Sequence, residues 1–131
     1  MKTVMLIAIA FAVALPAAAQ EGPFKEVRVV PDKARVDSRR CPVEVVFTGT
    51  IDIGPSAGRD FFFHYRWERS DGTRGNLKVV RPRPGQRSVN VRERWRVGER
   101  GREVEAGATL HVNSGGTRIE AASPRVKVRC S

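Results

Sequence analysis

From Val43 to Ile53 the chain reads VEVVFTGTIDI, and its side chains alternate in character residue by residue. Successive side chains of a β-strand point to opposite faces. As a strand, this run puts Val43, Val45, Phe47, Gly49, Ile51 and Ile53 on one face and Glu44, Val46, Thr48, Thr50 and Asp52 on the other. A helix of 3.6 residues per turn would scatter the same residues around its circumference. The pattern recurs along the chain with turn residues between the runs, and no stretch after residue 20 carries a helical apolar stripe. An all-β fold is therefore predicted.

The remaining runs follow the same rule. A leading strand covers about Lys25 to Val30 and stops at Pro31, which lacks a ladder donor. Gly54 to Gly58 is a loop by composition. The next strand opens with five of the nine Phe, Trp and Tyr residues of the chain, placed between Phe61 and Trp67. Phe61, Phe63, Tyr65 and Trp67 fall on one face, and Phe62, His64, Arg66 and Glu68 on the other. That segregation suits a strand packed against a second sheet, whereas a nucleic-acid platform mixes aromatics with cations on one face. Asp71-Gly72 then fits a tight hairpin. Short strands follow at Leu77 to Val80, Ser88 to Val97, Glu103 to Asn113, and Thr117 to Cys130, the last broken near Ser123-Pro124. Seven strands with closely spaced turns predict a sandwich of two antiparallel sheets.

The first residues have a separate purpose. Lys2, the apolar run Val4 to Leu15, and the small residues before Gln20 have the form of a secretory signal at residues 1–19, cleaved between Ala19 and Gln20. The run is about 12 residues, short of the ~20 that span a bilayer as a helix, so no integral membrane span is expected after cleavage. No cysteine stands at the cleavage point to carry a lipid anchor. Residues 20–131 then form one domain, with 20–40 as a leading strand segment and 41–131 as the sandwich. Export places the protein in the periplasm or outside the cell, where the two cysteines, Cys41 and Cys130, can oxidise. With alternating strand directions, the start of the second strand and the end of the seventh lie at the same end of the sandwich, so a bridge fits. Closing so long a loop stabilises by at most about 4–5 kcal/mol in the chain-entropy account.

CPVEVVFTGTI, HYRWERSDG, SVNVRERWRVG and the closing PRVKVRC together resemble bacterial secreted immunoglobulin-like domains. In that class Cys-Pro opens a strand, Tyr-x-Trp precedes Arg-Ser-Asp-Gly, a later strand carries Trp near Gly, and the last Cys pairs with the first. The resemblance covers Cys41 to Cys130 and implies an immunoglobulin-like fold in an adhesive or scaffolding module. Glu93 and the arginine density of its strand depart from that pattern.

Charge supplies the candidate binding residues. There are 24 Lys and Arg against 14 Asp and Glu, and 19 of the 24 are arginine. Such an excess favours polyanions such as lipopolysaccharide, acidic glycans or nucleic acid, although a codon bias toward arginine would produce it too. Arg92, Arg94 and Arg96 alternate on one strand face, about 6.5–7 Å apart by strand rise, with Arg81, Arg83 and Arg87 in the preceding loop. This comb is either an anion-binding stripe or a solvated face partly neutralised by Glu44 and Asp52 across the strands. Arg125, Lys127 and Arg129 form a second stripe. Phe62, His64 and His111 make a candidate contact surface; two histidines fall short of the ligand set of a zinc site. Glu93 is either an inward carboxylate paired with an arginine at the rim or the mark of a bulge. No metal, cofactor or catalytic group is expected, since Gly-x-Ser-x-Gly, His-Glu-x-x-His and a cysteine with a base are all missing. The leading expectation is a monomeric secreted or periplasmic module that binds or scaffolds a protein or envelope component. Polyanion binding is the alternative, and a cell-envelope hydrolase a remote one.

Overall fold

The computed structural model describes residues 22–131; the expected signal peptide and its cleavage point lie outside them. Among the described residues the alternating runs form ten strands and no helix. These are β1 (Phe24–Pro31), β2 (Arg35–Ser38), β3 (Val43–Ile53), β4 (Phe63–Arg69), β5 (Lys78–Val80), β6 (Ser88–Val97), β7 (Glu103–Ala106), β8 (Ala108–Ser114), β9 (Thr117–Ala122) and β10 (Val126–Cys130). They pair as three sheets in the orders β1-β3-β6, β2-β10-β7 and β5-β4-β8-β9.

Seven strands in two sheets thus become ten in three, for two reasons. The first is a bend. Glu103 to Asn113 divides at Gly107 into β7 and β8, while the last run divides near Pro124 into β9 and β10. Because Thr109 faces Ala122 and Ala106 faces Val126, the four pieces form one long hairpin bent across its middle. Buried backbone groups freed by a bend need other partners. Ser123 and Ser70 provide them: Ala108 N donates to Ser123 Oγ at 3.0 Å, and Gly107 N donates to Ser70 Oγ at 3.0 Å. Ser123 N and Ser70 N each return a bond, to Ala108 O and Gly107 O, at 2.9 Å. Beyond the bend the hairpin changes neighbours, so β8 takes β4 while β10 takes β2.

The second reason is β2 itself, whose half-buried positions are Val36 and Ser38, so a single apolar residue marks it in the sequence. It runs parallel to β10, from Lys127 opposite Arg35 to Cys130 opposite Ser38. The leading segment therefore contributes two strands to different sheets, since β1 lies antiparallel along β3.

The inward alternation predicted for β3, β4 and β6 builds the core. Val45, Phe47, Ile51, Phe63, Trp67, Leu110, Val126 and Val128 are buried in it. Phe61 and Tyr65 are half-buried against this core, and Phe61 precedes β4 instead of opening it. Phe24 meets Phe61 and Phe63 edge-on, with both centroid distances 5.6 Å. The aromatic run is thus mainly core.

The layers meet closely at Gly49. A Cβ there would stand 2.5 Å from Leu110 Cδ2 and 3.2 Å from the Trp67 ring. Gly49→Ala is expected to destabilise by about 1–3 kcal/mol through overpacking. The measure is a lower urea midpoint at unchanged slope; an unmoved midpoint would show that the layers part freely here.

Cys41, just before β3, is bonded to Cys130 at the end of β10, with Cα atoms 6.1 Å apart across 89 positions of sequence. The bridge ties the β1-β3-β6 sheet to the β2-β10-β7 sheet. Replacing both cysteines by serine is expected to lower the unfolding free energy by about 2–5 kcal/mol. Equal denaturation curves for the two proteins would refute that role.

Candidate functional site

β3 and β6 pair without interruption from Val43–Val97 to Asp52–Ser88. The loop leaving β3 and the loop entering β6 therefore emerge together, at the end of the sandwich away from the disulfide. They wall an open cleft of about 720 Å³. Phe61, Ile53, Pro82 and Pro84 form its apolar lining, and Lys25, Arg59, Arg83 and Arg87 its cationic one.

The arginine-bearing loop is held stiffly. Pro82 and Pro84 fix φ locally. Gln86 donates from Nε2 to Ser88 O and accepts from Arg83 N, both at 3.0 Å. Ile53 N donates to Arg87 O at 2.8 Å, joining the two walls. Among the described residues Asp52 is the one carboxylate lining the cleft, and it accepts from Arg28 Nη1 at 2.7 Å. The Asp52 hydrogen bond and charge hold the Arg28 guanidinium above its ordinary pKa. With Asp52 so engaged, none of the four cleft cations forms an ion pair among the described residues.

The six arginines singled out in the sequence fall into three places. Arg83 and Arg87 line the cleft. Arg81 instead lies over the Phe62 ring, 5.2 Å from its centroid, and Phe62 meets His64 edge-on at 5.8 Å. Arg92, Arg94 and Arg96 stand on the outer face of β6, where Arg94 is 3.4 Å from Glu44 and Arg96 donates to Pro42 O at 3.3 Å. Arg92 faces Thr48 in the register. Glu44 therefore meets the comb, but Asp52 turns to β1. In the second stripe, Lys127 lies between Glu105 and Arg35, and Arg129 between Asp37 and Glu103. Acid neighbours on both sides of Arg129 and on one side of Lys127 partly neutralise that stripe.

Glu93 resolves toward the rim. The β3–β6 register is unbroken, with Glu93 opposite Phe47, so no bulge turns it out. Its side chain, 14% exposed, accepts from Arg69 Nη2 at 3.0 Å. Arg69 in turn lies over Trp95, 5.5 Å from the centroid. The histidines do sit on neighbouring strands, but His64 faces Asn113 and His111 faces Arg66, so the imidazoles are diagonal. His111 stands between Glu120, 3.0 Å from Nδ1, and Glu68, 3.6 Å from Nε2.

Sequence reasoning missed Lys25 and Arg59 as companions of Arg83 and Arg87. The loop composition of Gly54 to Gly58 was a signal for a connection, but only the β3–β6 register shows which loop it faces.

Comparison with known proteins supports the fold. Neither a protein-family model nor a curated protein matches the sequence. Among solved structures, the chain is similar to the CARDB domain of a Pyrococcus furiosus protein, solved in complex with di-metal ions. The likeness has a TM-score of 0.57 at 14% identity and covers 84% of this chain and 98% of that one. The fold is accordingly all-β and immunoglobulin-like, as the sequence resemblance implied.

On the sheet face around His111, the Glu68 carboxyl is held below its ordinary value. The hydrogen bond from Arg74, 2.9 Å long, is the first cause; the charges of Arg74 and His111 add to it, and desolvation opposes it. A lowered carboxylate stabilises the fold above its ordinary range, and that contribution is lost as pH falls through the lowered value. Arg74→Gln is expected to raise the Glu68 pKa toward 4.5, read by carboxyl-carbon NMR titration. An unmoved titration would remove Arg74 as the cause.

Proposed function

We propose that the protein is an exported, non-catalytic immunoglobulin-like module that binds polyanions at or beyond the cell envelope. The loop-end cleft is its contact site. One observation carries the proposal: Lys25, Arg59, Arg83 and Arg87 converge on a cleft whose single carboxylate, among the described residues, is taken by Arg28. Uncompensated like charges in a concavity attract polyanions over distances that salt shortens. Arginine forks match phosphate, sulfate and carboxylate oxygens. Loops gathered at one end of a sandwich are also a common place for recognition. Below the cleft, Arg92, Arg94 and Arg96 extend the positive surface along β6.

Export rests on the character of residues 1–19, and the Cys41–Cys130 bridge supports an oxidising compartment. A non-catalytic role is supported by Glu93, whose carboxylate is committed to Arg69 at the rim. The di-metal ions of the neighbouring structure are not carried over. Among the described residues no group of three or more His, Cys, Asp or Glu side chains is arranged to hold a metal.

The test is retention of residues 20–131 on immobilised heparin across a salt series. Replacing Arg59, Arg83 and Arg87 by serine is expected to lower the eluting salt substantially, while serine at Arg92, Arg94 and Arg96 lowers it less. Both variants remove three charges, so net charge cannot account for the difference. Elution of the parent at low salt, or equal shifts for the two variants, would overturn the cleft as the site.

A further inference from the structure

Four large apolar side chains are exposed among the described residues. Val30 stands apart on β1, while Phe62, Leu77 and Val79, at 42%, 55% and 57% exposure, gather at one edge of the β5-β4-β8-β9 sheet.

The register explains the gathering. Val79 of β5 is opposite His64 of β4, and His64 points outward because Phe63 and Tyr65 on either side of it turn to the core. Alternation then sets Leu77, Val79 and Arg81 in an outward row along the edge, beside the row Arg66, His64 and Phe62. Contacts between the rows agree with this. Arg81 lies 5.2 Å from the Phe62 centroid, and Leu77 shares a groove wall with His64 and Arg66. The fold does not need this apolar row, since Val80 is the residue that packs β5 against the core. Exposed apolar groups gathered among polar ones mark contact surfaces.

Charge and size select what covers the patch. None of the side chains in the two rows is a carboxylate. Farther along this face, Glu68 and Glu120 are engaged by Arg74 and His111, at 2.9 and 3.0 Å. Lys78 adds an exposed cation between Leu77 and Val79. A second copy of the chain would bring the same cations and no acid, and an added strand would find an edge of three residues. A specific protein partner takes about 20–30 residues a side with matched shape, several times this patch. A lipid surface needs no matched shape. It accepts apolar side chains at the acyl boundary and cationic tips among the phosphates above it, and Arg81 over Phe62 presents that pairing.

The patch also adjoins the loop-end cleft. Phe61 and Pro82 line the cleft, and their chain neighbours Phe62 and Arg81 stand in the patch. The cleft cations Arg83 and Arg87 therefore belong to the loop that Arg81 opens.

We infer that the protein docks on an anionic lipid surface, with Phe62, Leu77 and Val79 entering the boundary between headgroups and acyl chains and Arg81 and Lys78 meeting lipid phosphates. The inference deepens the polyanion reading by naming the class of partner, and rests on that reading for its long-range attraction.

Flotation of residues 20–131 with vesicles of equimolar phosphatidylcholine and phosphatidylglycerol tests it. The protein is expected to float with these vesicles and not with phosphatidylcholine alone. Leu77→Ser combined with Val79→Ser is expected to weaken the partition about tenfold or more, through the loss of two inserted apolar side chains. Both positions are exposed, so folding, checked by circular dichroism, and heparin retention are expected to match the parent. Phe62→Trp reads depth: lipids brominated in the acyl chain should quench its fluorescence beyond the signal of Trp67 and Trp95. Absence of flotation, an unchanged partition in the double variant, or no added quenching would overturn the docking. Binding of an acidic, leucine-bearing peptide that depends on the patch, without binding of vesicles, would overturn it in favour of a protein contact. Flotation lost while heparin retention persists removes the docking alone, whereas elution of the parent from heparin at low salt removes the reading on which it rests.

Discussion

Where Trp67 of β4 lies over the bare backbone of Gly49, the two layers come closer than any side chain would permit. This contact fixes which face of each strand is inside. A one-residue slip in either strand would send its whole buried set outward, and Trp67 has space only against a glycine. Once β3 and β4 are fixed, the outer residues follow. Thr48 and Thr50 must point away from Phe47 and Ile51, and Arg66 and Glu68 away from Trp67. The register of β3 with β6 then carries two loops to one end, and that of β4 with β5 sets the rows of the outward patch. Both candidate sites are consequences of the same packing decision.

The bent hairpin is the other organising feature. A strand that changes sheets must leave ladder groups without partners at the crossing, and here two serine hydroxyls, of Ser70 and Ser123, substitute for the missing neighbours. Ser70 belongs to the turn after β4, so the turn and the bend stabilise each other. Asp71 contributes from within that turn: its Oδ1 accepts from Thr73 N and Oγ1, at 2.9 and 2.6 Å, and these bonds hold its carboxyl below the ordinary value.

Much of this is legible in the sequence. The period-two alternation identified β3, β4 and β6 and their inward faces, because a long strand with one dry face repeats the same signal several times. The split aromatic run announced a core for the same reason. β2 was not legible, since among four residues only Val36 is apolar and the other half-buried position is a serine, so no apolar period repeats. The division at Gly107 was hidden because a bend preserves alternation on either side. The sites divide along the same line. Arg83 and Arg87 were visible as a basic loop, whereas Lys25 and Arg59 join them only through pairing between distant segments. The Arg69–Glu93 pair is likewise a contact between strands, which local sequence does not encode.

β6 pairs on one side only, as the last strand in the order β1-β3-β6. Its other edge presents backbone donors and acceptors that could template a second copy of the chain. Antiparallel docking of two such edges would bring the arginine rows of the two copies alongside one another, and like charges facing across strands repel. The comb therefore discourages fibre-like self-association of a strand that the fold leaves uncovered. On the companion sheet, β5 is only three residues long and is followed by Pro82 and Pro84, which shortens the edge available there. In a protein built almost wholly of strands, the outward arginines of β6 thus set like charges against one another wherever two such edges meet.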